Sequence, residues 1–458
     1  IYMFLTLLNL LVLLLLTKSF IFKNYFKKAN VRHKLNNTPI DYDEKHKDII
    51  KQFSGFYGLI GPNVDFYKAR SLIELFTGNG FIQGVFFNNG TITHLNHTIN
   101  TEKKQHEDKW GKIPNHLFTS ILLTTLQKVN MVPISTGTAN TALINFANKT
   151  LALYETDYPY SIDINFENSS ISTLKKERID NVTSFSGHTK IINNTIETIE
   201  YDLMKKCIYY IRLDLNYNII EKTPIYTKYL PVVHDFITTK DYLIFFDSPL
   251  EIDTKKIFCN SFPVSLTNES AYIHVLNKHT KQVTRYDCRN SFYIFHFANF
   301  KETSSQLIIE GSVVDELDFS NLDFDPHYRQ IIINKADKKV SIIKYGELEN
   351  IKLDFPFKLK NNNILFTIIE ERGFSGFAIC ENMKIIKKIL LKDYILCGEP
   401  NIIEANNTEY LIGFTRNKMN EGFIYFLNLQ TFEDFYIPSS YTPYNGFHSI
   451  FIPNDLKL

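Results

Sequence analysis

Three neighbouring runs, YLIGFTRN (410–417), GFIYFLNL (422–429) and FEDFYIP (432–438), decide the fold. Each is short, aromatic and β-branched, and the pieces between them are brief and polar, which is the pattern of an antiparallel meander. The same kind of run recurs upstream as YLIFFDS (242–248), YIHVLN (272–277), SFYIFHFAN (291–299), SQLIIEGSVVD (305–315) and VSIIKY (340–345). A chain with this many strands must dispose of many exposed edges, and a propeller of four-stranded blades does so by closing on itself. After about residue 50 no Pro/Gly/Ser-rich linker and no long charge run interrupts the pattern, so 51–458 reads as one all-β propeller unit.

Composition agrees with a large folded core. The chain has 458 residues, 44% hydrophobic and 14% aromatic, which excludes disorder. Its 50 Lys+Arg against 49 Asp+Glu leave a formal charge of +1, so no basic field points to a nucleic-acid partner. Cys207, Cys259, Cys288, Cys380 and Cys397 are widely spaced and contain no CxxC pair, which excludes a thiolate zinc cluster and a disulfide-built scaffold. One or two isolated disulfides remain compatible with them.

The N-terminal stretch IYMFLTLLNLLVLLLLT (1–17) carries no charge and suits an apolar helix, either a signal peptide or a membrane anchor. Residues 18–50 follow as a basic linker, with Lys18, Lys23, Lys27, Lys28, Arg32 and Lys34 before the first acidic residue, Asp41. That bias favours a cytoplasmic flank. Nine Asn-x-Ser/Thr sequons, at Asn36, Asn89, Asn96, Asn148, Asn168, Asn181, Asn193, Asn268 and Asn406, suit a lumenal one, although an Asn-rich composition also generates sequons by chance. The expectation is membrane association with the side left open. A second apolar segment, NHLFTSILLTTLQK (115–128), has helical spacing behind Pro114 and lies near Trp110, Lys109, Lys112 and Lys128. It suits core packing or a helix that dips into a membrane surface.

Thirteen histidines are present, and most have polar neighbours. Four have apolar or aromatic ones: His188 in SFSGHTK, His234 in PVVHDFITTK, His296 in YIFHFANFKE and His448 in PYNGFHSIFIP. Alone, each is more often a hydrogen-bonded core residue than a metal ligand. Their separations of 46, 62 and 152 residues are near one, one and three blade lengths if a blade takes about 50 residues. Equivalent inner-strand positions of different blades face the central axis, so a propeller would bring the four together.

These segments resemble the carotenoid cleavage oxygenases, which include apocarotenoid oxygenases and the retinoid isomerohydrolase of the retinal pigment epithelium. The landmarks run in order from about 55 to 453: GLIGPN (58–63), FTGNGFIQGVFFNNG (76–90), GTANTALINFANKTLALYETDYPY (137–160), FSGHTK, HDFITTKDYLIF, FHFANFKE, LDFP (353–356), GEPNII (398–403) and GFHSIFIP (446–453). The resemblance implies a seven-bladed β-propeller with a few helices capping its entrance face. It also implies a non-haem Fe²⁺ on the axis, held by His188, His234, His296 and His448. Four neutral imidazoles suit Fe²⁺ while leaving its charge intact and positions open. Carboxylates on the outer ring nitrogens, which fix tautomer and orientation, correspond by motif to Glu155, Asp354 and Glu399. Asp354 stands where the family usually has Glu, which puts that hydrogen bond in question. Thr189 replaces a frequent Pro, and Phe300 a frequent Tyr.

By resemblance the chain is an Fe²⁺ dioxygenase that cleaves a conjugated C=C bond of a carotenoid or apocarotenoid with O₂, giving aldehyde or ketone products. The substrate polyene would enter from a membrane surface through an apolar tunnel. A retinoid isomerohydrolase-type reaction without O₂ is the alternative within the family. Tyr154, where stilbene-cleaving relatives have Lys, counts against stilbenes. The non-enzymatic alternative is an iron-free propeller that binds hydrophobic ligands or protein partners. No HExxH, GxSxG or GxxxxGK[ST] motif supports another catalytic class.

Overall fold

The computed structural model describes residues 37–64, 75–111, 136–146, 149–253, 256, 263–317 and 324–454. Among these the chain forms seven sheets of four or five strands and one of two. Each large sheet is one blade of a seven-bladed propeller. The second blade, for example, runs outward from the axis as Ala142–Phe146, Lys149–Leu153, Tyr160–Asn165 and Ser170–Lys176. The ring closes because the last described strand, Ser449–Pro453, pairs antiparallel with Gly55–Pro62, from Leu59↔Ser449 to Gly55↔Pro453. It thereby becomes the innermost strand of the first blade, and the edge that an open sheet would leave is gone.

Blade order explains the strand sequences. Strands near the axis are sandwiched between neighbouring blades and buried on both faces, so YLIFFD at Tyr242–Asp247 is a continuous apolar run. The outermost strand of the sixth blade, Lys384–Leu390, reads KIIKKIL and is mostly exposed. Its lysines discourage pairing with another chain.

The core is divided by the gaps between blades. Tyr57, Phe87, Phe414 and Phe426 fill the gap between blades one and seven, and Phe185, Ile196, Leu151 and Leu153 that between two and three. Each such side chain contributes about 1.5–3 kcal/mol by leaving water. An eighth apolar cluster, with Leu75, Leu250, Val264, Tyr293, Val314 and Leu317, joins the two-stranded sheet to one end of the fifth blade.

Helices are few among the described residues: Lys47–Ile50, Glu102–Trp110 and the 3-10 turns Glu44–His46 and Leu348–Asn350. The apolar segment 1–17 and the helix expected at 115–128 both lie outside the described residues. No described helix is long and apolar enough to cross a membrane. Within the stretch 18–50 read as a linker, Thr38–Ile40 pairs with Thr91–Thr98 as a fifth strand of the first blade, and Ile50 is buried. The isolated disulfides left open by the sequence are absent from the described cysteines: Cys207, Cys288, Cys380 and Cys397 are free and buried.

Two histidines outside the four are also buried, His274 in the apolar run YIHVLN and His94 in TITHLN. His274 faces Asp247 at 3.3 Å. His94 has Nδ1 3.0 Å from Ser440 Oγ and its ring against Phe414 and Tyr441. Burial depresses the His94 pKa to about 3. Between that value and the ordinary imidazole range near 6.5, the unfolded chain takes a proton that the folded chain refuses, so stability falls as pH drops. Replacing His94 by Gln removes this contribution. From pH 7.5 to pH 5 the wild type is expected to lose about 2 kcal/mol more than the variant, measured as urea unfolding free energies at the two pH values.

Candidate metal centre

Each of the seven blades supplies one residue to the axis. His188 lies two residues before the third blade's inner strand Lys190–Ile192, and His234 three before Ile237–Thr238 of the fourth. His296 lies in Tyr293–Glu302 of the fifth blade, and His448 directly before the closing strand Ser449–Pro453 of the first. Glu155 follows Lys149–Leu153 of the second blade, Asp354 lies in Lys352–Lys358 of the sixth, and Glu399 falls between two inner strands of the seventh, Tyr394–Leu396 and Asn401–Ala405. The separation of 152 residues between His296 and His448 is thus three blade steps, the last taken across the ring closure.

The four histidines each present one ring nitrogen, and these atoms lie within 4.8 Å of one another. His188 Nε2 and His234 Nε2 are 3.0 Å apart. A single ion with roughly 2.1 Å bonds to imidazole nitrogens spaces adjacent ligands at about this distance. His296 Nε2 is buried with no hydrogen-bond partner. An orphaned donor-acceptor atom of this kind, aimed at three other imidazoles, fits a metal and is costly without one.

The carboxylates stand on the other side of the rings. His296 Nδ1 donates to Asp354 Oδ1 at 2.8 Å, His448 Nδ1 to Glu399 Oε2 at 3.3 Å, and His234 Nδ1 faces Glu155 Oε1 at 3.5 Å. The hydrogen bond that the shorter Asp354 put in question is the shortest of the three. Its backbone makes up the reach: the strand bulges between Asp354 and Phe357, and Phe355 takes a left-handed φ of +50°. That conformation costs a phenylalanine about 1–2 kcal/mol. It accompanies a ring placed 5.1 Å from His296 and 5.6 Å from His448.

The electrostatics favour neutral rings at two positions. His188 is held well below the usual imidazole pKa by burial and by its three histidine neighbours. His234 is also lowered by burial, with Glu155 opposing. For His296, burial is outweighed by Asp354, which raises it, and the same pairing keeps Asp354 ionised despite its burial. Glu155 is kept below the ordinary carboxylate range, against burial, by His234 and by Thr141, whose Oγ1 donates to Glu155 Oε2 at 3.0 Å. Neutral, Nδ1-protonated imidazoles are the metal-ligating form, and the carboxylates select it.

Sequence reasoning gave no role to Thr141, Phe355 or Asp235. Thr141 lies inside the GTANTAL segment and Asp235 directly after a ligand, so proximity to quoted motifs was the available signal. Gly187 is needed where the chain approaches the axis just before His188. A Cβ there would stand 2.5 Å from Thr141 Cγ2 and 3.1 Å from Glu155 Oε1.

A closed propeller whose axis gathers four imidazoles, three of them backed by carboxylates, could hold a metal ion there. The chain belongs to the family described as Retinal pigment epithelial membrane protein, which matches residues 48–363. It is similar to the carotenoid 9,10(9',10')-cleavage dioxygenase 1 of Pisum sativum, 26% identical over 329 residues, covering 63% of this chain and 59% of that protein. The carotenoid 9,10(9',10')-cleavage dioxygenase of Crocus sativus is 26% identical over 401 residues, covering 79% and 68%. The chain therefore spans about three fifths of the length of the pea relative. Among solved structures, the Pseudomonas brassicacearum lignostilbene dioxygenase superposes with a TM-score of 0.73 at 13% identity, over 93% of this chain and 97% of that one. Cobalt-substituted Synechocystis apocarotenoid oxygenase superposes with a TM-score of 0.72 at 14% identity over the same shares. At such identities the structures attest the shared fold.

Proposed function

We propose that this protein is a non-haem Fe²⁺ dioxygenase that cleaves a conjugated C=C bond of a carotenoid or apocarotenoid with O₂, one oxygen atom passing to each carbonyl product. The observation that carries this reading is the axial cluster itself: four converging imidazole nitrogens backed by Asp354, Glu399 and Glu155. Bound iron(II) would supply dioxygen activation, which no arrangement of these side chains provides alone. His188, His234, His296 and His448 would hold it.

The protein's own contribution is binding, orientation and exclusion of water. The eighth apolar cluster reaches the site through Phe295, whose ring lies 5.7 Å from His234 and 5.1 Å from Phe324. Phe355 covers His296 and His448 from the sixth blade. These rings offer a polyene an apolar wall beside the imidazoles, and a rigid substrate lying along it presents one double bond rather than many. No acid or base is required at the reacting carbons.

The names of the pea and saffron relatives support a carotenoid substrate. Tyr154, next to Glu155, argues against the phenol-binding lysine of stilbene cleavage. The test is incubation of the Fe²⁺-loaded chain with a panel of carotenoids and apocarotenoids under ¹⁸O₂. Aldehyde or ketone products carrying ¹⁸O are expected. Products formed equally well without O₂ would instead indicate the isomerohydrolase type of chemistry, and an absence of both turnover and iron uptake would leave the iron-free binding-protein alternative.

A further inference from the structure

His234, His296 and His448 each face a carboxylate at the outer ring nitrogen, and the fourth ligand is treated differently. Among the described residues the only carboxylate within 4 Å of His188 is Asp235, whose Oδ1 lies 3.9 Å from His188 Nδ1. Asp235 is 5% exposed, and its other contacts show what it joins. Oδ1 accepts from the backbone N–H of Phe236 at 2.8 Å and pairs with Lys190 Nζ at 2.7 Å, while Oδ2 accepts from the backbone N–H of Phe297 at 3.1 Å.

Each contact lies next to a ligand. Lys190 opens the inner strand of the third blade two residues after His188, Asp235 itself follows His234, and Phe297 follows His296. One buried carboxylate on the fourth blade therefore joins the Lys190 side chain of the third blade to the backbone beside His296 on the fifth, linking the segments that carry three of the four imidazoles.

We infer that Asp235, assisted by Lys190, is a positioning residue of the axial site: a fourth carboxylate that sets the spacing of His188, His234 and His296. This rests on the four-histidine metal centre proposed above. A carboxylate serving only as a staple between blades would affect folding stability alone. One that sets ligand spacing must also change how the site holds a metal.

The test uses Co²⁺ as a spectroscopic probe on the full chain. Wild type, Asp235→Asn and Lys190→Met are titrated with Co²⁺ against a competing chelator, with visible spectra recorded throughout and near-UV circular dichroism confirming the fold. Asn keeps one oxygen, so it retains an acceptor for one of the two backbone N–H groups, and it lacks the charge. Asp235→Asn is expected to bind Co²⁺ about ten- to a hundredfold more weakly, the range for loss of a partner behind a metal ligand, with shifted ligand-field bands. Lys190→Met should shift both in the same direction and by less. Wild-type affinity and spectrum in folded Asp235→Asn would overturn the inference. If that variant fails to fold, an unchanged Lys190→Met decides against it in the same way. Failure of the wild type to take up Co²⁺ or Fe²⁺ would instead sink the four-histidine reading, and this inference with it.

Discussion

His296→Ala is expected to leave the protein without bound metal, and His296→Gln to do the same while preserving the fold. His296 is the most tightly held of the three carboxylate-backed ligands, 2.8 Å from Asp354, and its Nε2 has no partner of its own. Removing it deletes one of the four proposed ligands and strands Asp354, a buried carboxylate kept ionised chiefly by that imidazole. A buried charge without a partner takes up a proton or destabilises its surroundings. Glutamine reaches back to Asp354 with an amide N–H but offers the site no imidazole. Loss of a ligand should exceed the effect of losing a partner behind one, so iron affinity falls by more than about a hundredfold, and turnover falls with it. Metal analysis after anaerobic Fe²⁺ loading, with near-UV circular dichroism on the same samples, checks this. Retention of one iron by folded His296→Gln would count against the proposed ligand set.

The second large effect lies away from the axis. Lys278 and Glu197 are both buried, joined at 2.5 Å across the gap between the fourth and third blades, and Lys278 also donates to Thr238 Oγ1 and the Thr239 carbonyl at 2.5 Å each. Burial lowers the Lys278 pKa while Glu197 opposes the shift. Breaking one half of such a pair leaves the other charge unpaired, at a cost of about 3–5 kcal/mol, whereas replacing both with uncharged groups is much better tolerated. Lys278→Met alone is therefore expected to lower the urea unfolding free energy by that amount. Lys278→Met combined with Glu197→Gln should recover more than half of it. Equal loss in the single and double variants would show that the pair is not what joins these blades.

Much of this organisation was legible in the chain because a propeller repeats one physical solution. Runs such as YLIFFDS are apolar on both faces since blades sandwich their inner strands, and the near-regular histidine spacing follows from equivalent strand positions. The resemblance, not the spacing, supplied the count of seven blades and the roles of Glu155, Asp354 and Glu399. What stayed hidden depends on backbone detail. Whether Asp354 reaches His296 turns on a bulge and on the left-handed Phe355, neither of which has a signature in LDFP. Buried His94 sits on a strand of alternating polar residues that masks its inward face, and Asp235 looks like a flank of His234 until three blades converge on it. The strand Thr38–Ile40 joins the first blade through a pairing 50-odd residues away in sequence, with a composition that reads as linker.

The most direct test of the account is anomalous diffraction at the iron edge from crystals of the Fe²⁺-loaded full chain. One peak bonded to the Nε2 atoms of His188, His234, His296 and His448 is predicted. No peak there after anaerobic loading, or a peak held by other residues, would contradict it.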